Sequence, residues 1–530
     1  MTAVSPRTSS AGARRAALTD TAKVAEPVER ELKLRLRAQD VALLRARLDA
    51  RAQSRTQVVD SIYLDTPDRR LAAARAALRL RALGQGRRRW VQTLKTEDHG
   101  AAFSARGEWE TAAPGGRLAP RLLADSPLER LLAPGDPTGE GAARMRLAPV
   151  FRTRFTRTIW DIAESGARVE AAIDEGQIEA GTARETILEA ELELKAGPAQ
   201  VIWQLALELA CGRQGTAPRT RLALVPYGDS KAARGYRLAA GAASMPQRAR
   251  AVPDLDATQG ARTAAGLLIA HEMIALLANV DGLRTGTDTE FVHQARVCLR
   301  RMRASLDVLG VHLPAPLDRA LGKWGERFGV VRDWDVLCEQ LLPRLIDALG
   351  AADSAPWARV VAAAGRRRAT ATARLRRQLD SPAFADLALR LLQWSMAPAA
   401  AAGGGTDKPA GALALKTVRK RLRRLADAGR NFARHSPQRQ HRIRLQAKTV
   451  RYAIDCLAPM LPGRLQGAVR RALGRFQEAA GRAQDARVAL AAVQRLTRSA
   501  ELRRAAAHWA AAQRAKSAGK ARRLAARLSA

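Results

Sequence analysis

The chain changes its periodicity once. From Val28 to about Leu224, apolar and polar residues alternate in short runs, the period of half-buried strands. Such runs fall at Val28–Arg37, Val58–Asp65, Ala77–Ala82, Arg89–Lys95, Gly107–Thr111, Arg154–Ile162, Val169–Asp174 and Glu179–Lys195, while Asp40–Ala52 carries helical spacing. Pro and Gly clusters at 113–116 and 134–137 punctuate them. Beyond about residue 260 the alternation disappears and a helical period replaces it. The pattern predicts an α+β multidomain protein. Its first part is expected to hold about eight antiparallel strands with charged residues on one face, suggesting a closed barrel with a few helices, and its second part to be all-α.

The expected boundaries follow from these shifts. Residues 1–25, rich in Ala, Arg, Ser and Thr without an apolar run, are expected to form a disordered tail and do not read as a signal peptide. Residues 26–240 form the strand domain, 241–259 an Ala/Gly/Pro-rich linker, and 260–530 the helical domain. That domain is duplicated, with copies at about 260–395 and 412–530. His293-Gln-Ala-Arg296-Val-Cys-Leu-Arg300-Arg301-Met-Arg303 is echoed by His441-Arg-Ile-Arg444-Leu-Gln-Ala-Lys448-Thr-Val-Arg451. Downstream, Leu321-Gly322 and Arg332-Asp333 are echoed by Leu473-Gly474 and Gln484-Asp485, and the Ala/Gly-rich stretch Ala399–Gly405 reads as a flexible connection.

The polar positions carry the chemistry. On a strand, residues i, i+2 and i+4 share a face, so Glu29, Glu31 and Lys33 form one row, and Glu189, Glu191, Glu193 and Lys195 another. Like charges in register repel unless cations sit among them. Two such rows opposed across a closed sheet would line a cavity with acid and base, suited to a metal ion and a charged anion. Basic residues recur on neighbouring strands: Arg79 and Arg81, then Lys95, then Arg152, Arg154 and Arg157.

In the helical half, residues i, i+3, i+7 and i+10 fall within roughly an 80° arc. His293, Arg296, Arg300 and Arg303 therefore make one stripe, and His441, Arg444, Lys448 and Arg451 a second. No acidic residue is interspersed, and like charges one turn apart each cost a few tenths of a kcal/mol. A bound polyanion accounts for both stripes.

Net charge points the same way. The chain has 90 Lys and Arg against 51 Asp and Glu, a formal +39, and residues 411–530 hold 29 of the former against 5 of the latter. Nucleic acid, anionic membrane and polyphosphate are the partner classes this balance admits. Aromatic residues make up only 4%, too few for a row of stacking platforms, and no helix-turn-helix or zinc signature is present, so nucleic acid is disfavoured. The scattered Cys211, Cys298, Cys338 and Cys456 lack CxxC spacing and read as thiols of a reducing compartment. The longest apolar stretch, Ala264–Val280, is broken by His271 and Glu272 and reads as a core helix. No membrane span and a cytoplasmic location are expected.

Seven short motifs carry a family resemblance. Glu29-x-Glu31-x-Lys33, Tyr63-Leu-Asp65-Thr66-Pro67, Leu78-Arg79-Leu80-Arg81, Gln92-Thr93-Leu94-Lys95, Val169-Glu170-Ala-Ala-Ile-Asp174-Glu-Gly176, Glu189-x-Glu191-Leu-Glu193-Leu and Ser230-Lys231-Ala-Ala-Arg234-Gly235-Tyr236 stand in the order seen in CYTH domains, the triphosphate tunnel metalloenzymes. The stretch Phe103-Ser-Ala-Arg106-Gly-Glu108 departs from the family in lacking the His and Pro usual around its arginine. The two His/Arg stripes resemble a CHAD domain, a helical polyphosphate-binding module often fused behind CYTH, over about Thr263–Leu490.

The resemblance implies an eight-stranded tunnel in which Glu29, Glu31, Glu170, Asp174, Glu189 and Glu191 hold one or two Mg2+ or Mn2+ ions. Lys33, Arg79, Arg81, Lys95, Arg154, Arg157, Lys231 and Arg234 would grip a triphosphate, with Glu29, Glu31, Lys33, Glu189 and Glu191 at the chemistry. Both stripes would bind polyphosphate, with Asp333 and Asp485 orienting the arginines or helping to hold a cation. The expected activity is metal-dependent hydrolysis of inorganic triphosphate. Thiamine triphosphatase or adenylyl cyclase activity in the same tunnel, or non-catalytic polyphosphate binding at granules, are the alternatives.

Overall fold

A computed structural model of the chain describes residues 28–84, 89–97, 104–132, 146–212, 221–248, 255–398 and 407–525. The expected tail at 1–25, the turn cluster at 134–137 and the connection at 399–405 lie outside the described residues, as do the side chains of Glu29 and Arg106.

The first part runs β1 (Val28–Arg35), α1 (Val41–Asp49), β2 (Ser54–Asp65), α2 (Arg70–Ala73), β3 (Ala76–Leu83), β4 (Arg89–Glu97), β5 (Ser104–Ala112), α3 (Leu128–Leu132), β6 (Ala148–Glu164), β7 (Ala167–Ala180), β8 (Ala183–Ala196), α4 (Gln200–Cys211), β9 (Val225–Pro226) and α5 (Lys231–Ala239). Its strands form one antiparallel sheet in the order β5-β4-β3-β2-β6-β7-β8-β1-β9.

The expectation of an eight-stranded closed tunnel is corrected here. Among the described residues the sheet has nine strands. Its ninth, β9, pairs with Leu34 and Arg35 on β1, while only Val28–Glu31 of β1 pairs with β5, opposite Gly107–Ser104. One edge of β1 is thus divided between two short partners, so the wall is not a ring of eight strands joined along their length. The physical reason is local. Tyr227 N–H donates to the Lys33 carbonyl (3.2 Å), and this segment takes backbone groups of β1 that β5 does not reach.

The acidic rows also lie differently from the expectation. β1 and β8 are direct neighbours, with Glu31 opposite Glu193, Lys33 opposite Glu191 and Arg35 opposite Glu189. The rows run side by side rather than facing each other. Directly opposed side chains on one face stand ~5 Å apart, so Lys33 and Arg35 interleave the acids with positive charge.

Sheet polarity is inverted relative to an ordinary half-exposed sheet. Leu32, Leu34, Trp160, Ile162, Val169, Ala171, Ile173, Ala190 and Leu192 point to the outer face, where α4 packs through Val201, Ile202, Trp203 and Leu205. The charged alternates therefore turn to the concave face. This apolar layer is continuous with that of the helical part, so both share one core.

The helical part comprises α6 (Ala261–Thr285), α7 (Glu290–Leu309), α8 (Ala315–Val336), α9 (Leu342–Ala348), α10 (Ala355–Leu379), α11 (Pro382–Met396), α12 (Ala410–Arg430), α13 (Pro437–Cys456), α14 (Arg470–Leu496) and α15 (Ala500–Ala525). The first helices of the two copies meet through a bridge in which Ala261 N–H donates to the Lys408 carbonyl (2.9 Å) and Ala410 N–H to that of Gln259 (2.8 Å). Helix α6 is long and apolar enough to cross a membrane, yet most of its apolar window is buried inside the protein. It packs as a core helix. Helix α11 docks on α4 and β9, joining the two parts.

Candidate functional site

The concave face encloses a cavity of about 990 Å³, and basic side chains outnumber acidic ones along its lining. Lys33, Arg79, Arg81, Lys95, Arg157 and Lys231 reach it, as do Glu31, Glu170 and Glu191. Strand parity accounts for this: Arg157 is opposite Asp174, which is opposite Glu189, and Ala172 is opposite Glu191, so these side chains rise from one face. Arg154 is three residues from Arg157 and points the other way. It is exposed on the outer face, 3.7 Å from Asp60, and does not line the cavity.

Asp174, Glu189 and Glu191 each offer one carboxylate oxygen within 4.8 Å of the others, and all three are buried. Hard divalent ions prefer such oxygens, so the cluster can hold a divalent metal ion. Of the other expected ligands, Glu31 is paired with Lys33, and Glu170 is 3.3 Å from Arg55. The backbone of Glu29 lies on β1 opposite Arg106.

Buried acids of this density need cations. Arg157 grips Asp174 with two bonds of 2.7 and 2.6 Å and also bonds Glu191. Lys231 Nζ lies 2.6 Å from Asp174 and 2.9 Å from Glu191, and bonds Glu189 too. Arg234 reaches Glu189 (2.9 Å) and Glu185 (2.6 Å). Lys231 and Arg234 sit on one face of α5, whose start is fixed by the Ser230 hydroxyl accepting from Ala233 N–H (3.0 Å). They are thus engaged with carboxylates in the structure.

The electrostatics separate the acids. Burial pushes the Glu191 carboxyl upward, but Lys231, Arg157 and Lys33 outweigh it and hold it well below the usual carboxylate range. Glu189 goes the other way, raised by burial and by the charges of Glu191 and Asp174 against the pull of Lys231 and Arg234. Burial works against the Lys231 ammonium, yet Asp174, Glu189 and Glu191 raise it above its ordinary value.

Across the cavity the wall is basic. Arg79 and Lys95 share Glu108 at 3.3 and 3.1 Å, and Arg81 donates to the Ser61 hydroxyl (3.2 Å). Burial and the neighbouring charge of Arg79 push the Arg81 guanidinium down to about 10. The sequence reading missed Glu108 and Glu110, although their spacing on β5 carried the same alternation signal as the other rows. It also missed Tyr227, whose hydroxyl donates to Glu189; this residue lies in irregular chain, where no period marks it.

The second candidate site lies between α7, α8 and α13. His293, Arg296, Arg300 and Arg303 sit on α7, and His441, Arg444, Lys448 and Arg451 on α13. The stripes converge at Tyr452, whose ring centre is 5.8 Å from Arg300, 5.8 Å from Lys448 and 5.4 Å from Arg451. Burial, then Arg300, Arg444, Arg296 and Arg451, push the Lys448 amine down to about 7. Burial also lowers His293 and His441, with Arg332 and Arg444 respectively adding the largest repulsion. A groove of about 950 Å³ follows Arg296, Arg300 and Arg303. Its opposite wall on α8 presents Gly322, Gly325 and Gly329, and a Cβ at Gly329 would stand 2.6 Å from Arg296 Nη1. The copies match in detail, with Arg296 3.6 Å from Asp333 and Arg444 4.0 Å from Asp485.

A charged concave sheet ending in a carboxylate cluster, followed by helices with an arginine-lined groove, defines a two-part protein built around anions. Comparison with known proteins makes the assignment specific. Residues 28–211 match the CYTH domain and residues 268–494 the CHAD domain, and the chain carries both. An inorganic triphosphatase of Haemophilus influenzae is 30% identical over 177 residues, 33% of this chain and 44% of that protein. The match thus spans less than half of that relative's length. Among solved structures, the CHAD domain from the plant Ricinus communis is 25% identical, covering 53% of this chain and 96% of that one at a TM-score of 0.45. A putative adenylyl cyclase from Hippeastrum, described as having a dominant triphosphatase activity, is 20% identical, covering 40% and 96% at a TM-score of 0.28.

Proposed function

We propose that the sheet cavity hydrolyses a phosphoanhydride bond of inorganic triphosphate with a divalent ion, Mg2+ or Mn2+, and that the helical groove binds polyphosphate. The observation carrying this reading is the buried cluster of Asp174, Glu189 and Glu191, which reaches a cavity with a cationic wall through Glu191. The inorganic triphosphatase activity of the Haemophilus influenzae relative supports it.

Asp174, Glu189 and Glu191 would hold the ion, which when bound supplies charge neutralisation for phosphate oxygens. Arg79, Arg81 and Lys95 bind and orient the chain of phosphates through charge-assisted bonds. Lys33 and Arg157 line the same cavity beside the acids, where their charge stabilises the negative charge that develops on the equatorial and leaving oxygens. Glu191, kept ionised by Lys231 and Arg157, accepts hydrogen bonds at neutral pH. A water held at this carboxylate would attack the terminal phosphorus as the bridging P–O bond breaks and diphosphate leaves, the water's proton passing to the products, so no Ser or Cys is required.

One observation favours a second reading, a polyphosphate-binding protein with little turnover. Lys231 and Arg157 already neutralise the acidic cluster. A phosphate-release screen of the full chain against tripolyphosphate, thiamine triphosphate and nucleoside triphosphates separates the two. Metal-dependent release fastest on tripolyphosphate is expected. Binding of polyphosphate without release from any of the three would favour the second reading.

A further inference from the structure

The two parts meet at a charged contact that ends on the metal-binding cluster. Arg35, the last residue of β1, stands directly opposite Glu189 in the β1–β8 register. Side chains so placed are ~5 Å apart at Cβ, so this guanidinium could close on the Glu189 carboxylate. It does not. Arg35 Nη2 donates instead to Asp281 Oδ1 (2.8 Å) on α6, and its guanidinium lies 5.0 Å from the ring centre of Tyr227. Tyr227 uses its hydroxyl to hold Glu189. Asp281 is itself fixed within the helical domain, 3.6 Å from Arg284.

We infer that Asp281 of the helical domain is a positioning residue for the metal site, holding Arg35 away from Glu189 so that this carboxylate stays available to a divalent ion. The inference rests on the proposed ligand role of Asp174, Glu189 and Glu191. Glu189 already receives Lys231 and Arg234, so a third cation would compete with the ion for the same oxygens. Removing the negative charge of Asp281 frees Arg35 for its cross-strand neighbour. The helical domain thereby sets the metal affinity of the sheet domain through one ion pair.

The test is Mn2+ binding to the full chain, read from the paramagnetic resonance of free Mn2+ with no substrate present. Asp281→Asn keeps the side-chain shape and is expected to weaken binding on the order of tenfold, as changes behind a ligand do. Arg35→Gln should bind at least as tightly as wild type, and adding it to Asp281→Asn should restore affinity. Asp386→Asn removes a different contact between the two parts, the 3.6 Å approach of Cys211 Sγ, and should leave binding unchanged. Wild-type affinity in Asp281→Asn overturns the inference. So does a loss that Arg35→Gln does not rescue, or an equal loss in Asp386→Asn. If Glu191→Gln also leaves Mn2+ binding intact, the ligand assignment itself fails and the inference falls with it.

Discussion

Lys231 Nζ lies 2.6 Å from Asp174 Oδ2, a carboxylate with no exposure to solvent. An ammonium thus sits within the cluster that can hold a divalent ion. Breaking a buried pair leaves uncompensated charge and costs about 3–5 kcal/mol. Lys231→Met should therefore lower the unfolding midpoint of the metal-free chain, and added Mn2+ should raise it more than it does in wild type. A thermal scan with and without Mn2+ checks this; equal metal-induced shifts would show that Lys231 does not share the cluster with the ion.

The basic wall gives a prediction about substrate rather than metal. Arg79 of β3 and Lys95 of β4 converge on Glu108 of β5, whereas the carboxylate cluster stands on β7 and β8. Loss of one charge-assisted bond to phosphate costs about 1.5–3 kcal/mol, or roughly ten- to a hundredfold. Arg79→Gln should lower kcat/KM for tripolyphosphate by that factor while Mn2+ affinity stays within about twofold, an expectation that follows from the same separation.

Lys448 supplies a pH dependence. Its folded value of about 7 lies below its ordinary one, so between these values the unfolded chain binds more protons and stability rises with pH. Below pH 7 the amine is charged in both states and the penalty is fully present. A bound polyanion prefers the charged amine, so polyphosphate affinity should fall as pH rises through about 7, with proton uptake on binding above it. Lys448→Met should raise the midpoint of the free chain at pH 6 and weaken polyphosphate binding. Calorimetry in two buffers of different ionisation enthalpy measures the uptake.

At Gly329 the backbone of α8 comes close to the Arg296 side chain. A Cβ there would stand 2.6 Å from Arg296 Nη1, so Gly329→Ala should displace that guanidinium and weaken long-chain polyphosphate binding several-fold. Tripolyphosphate hydrolysis in the sheet cavity should be unaffected, and a gel-shift of polyphosphate beside a phosphate-release assay reads both.

What was legible in the sequence follows from period. Strand alternation marked the rows on β1, β3, β7 and β8, and helical spacing marked both stripes, because each rests on geometry along a single element. Pairing between elements left no such trace. Nothing in Glu29–Lys33 or Glu189–Lys195 says that their strands are neighbours, so rows expected to oppose one another turned out adjacent. The ninth strand is two residues long and carries no period, and with it Tyr227 went unseen. Arg154, which the resemblance placed among the phosphate-gripping residues, is sent by strand parity to the side opposite Arg157.

The most direct test is release of phosphate from tripolyphosphate by the full chain and by Glu191→Ala, each with Mg2+, with Mn2+ and with chelator. Metal-dependent release in wild type, lost on chelation and absent in a folded Glu191→Ala protein, is predicted. Release that survives chelation, or that persists in Glu191→Ala, would contradict it.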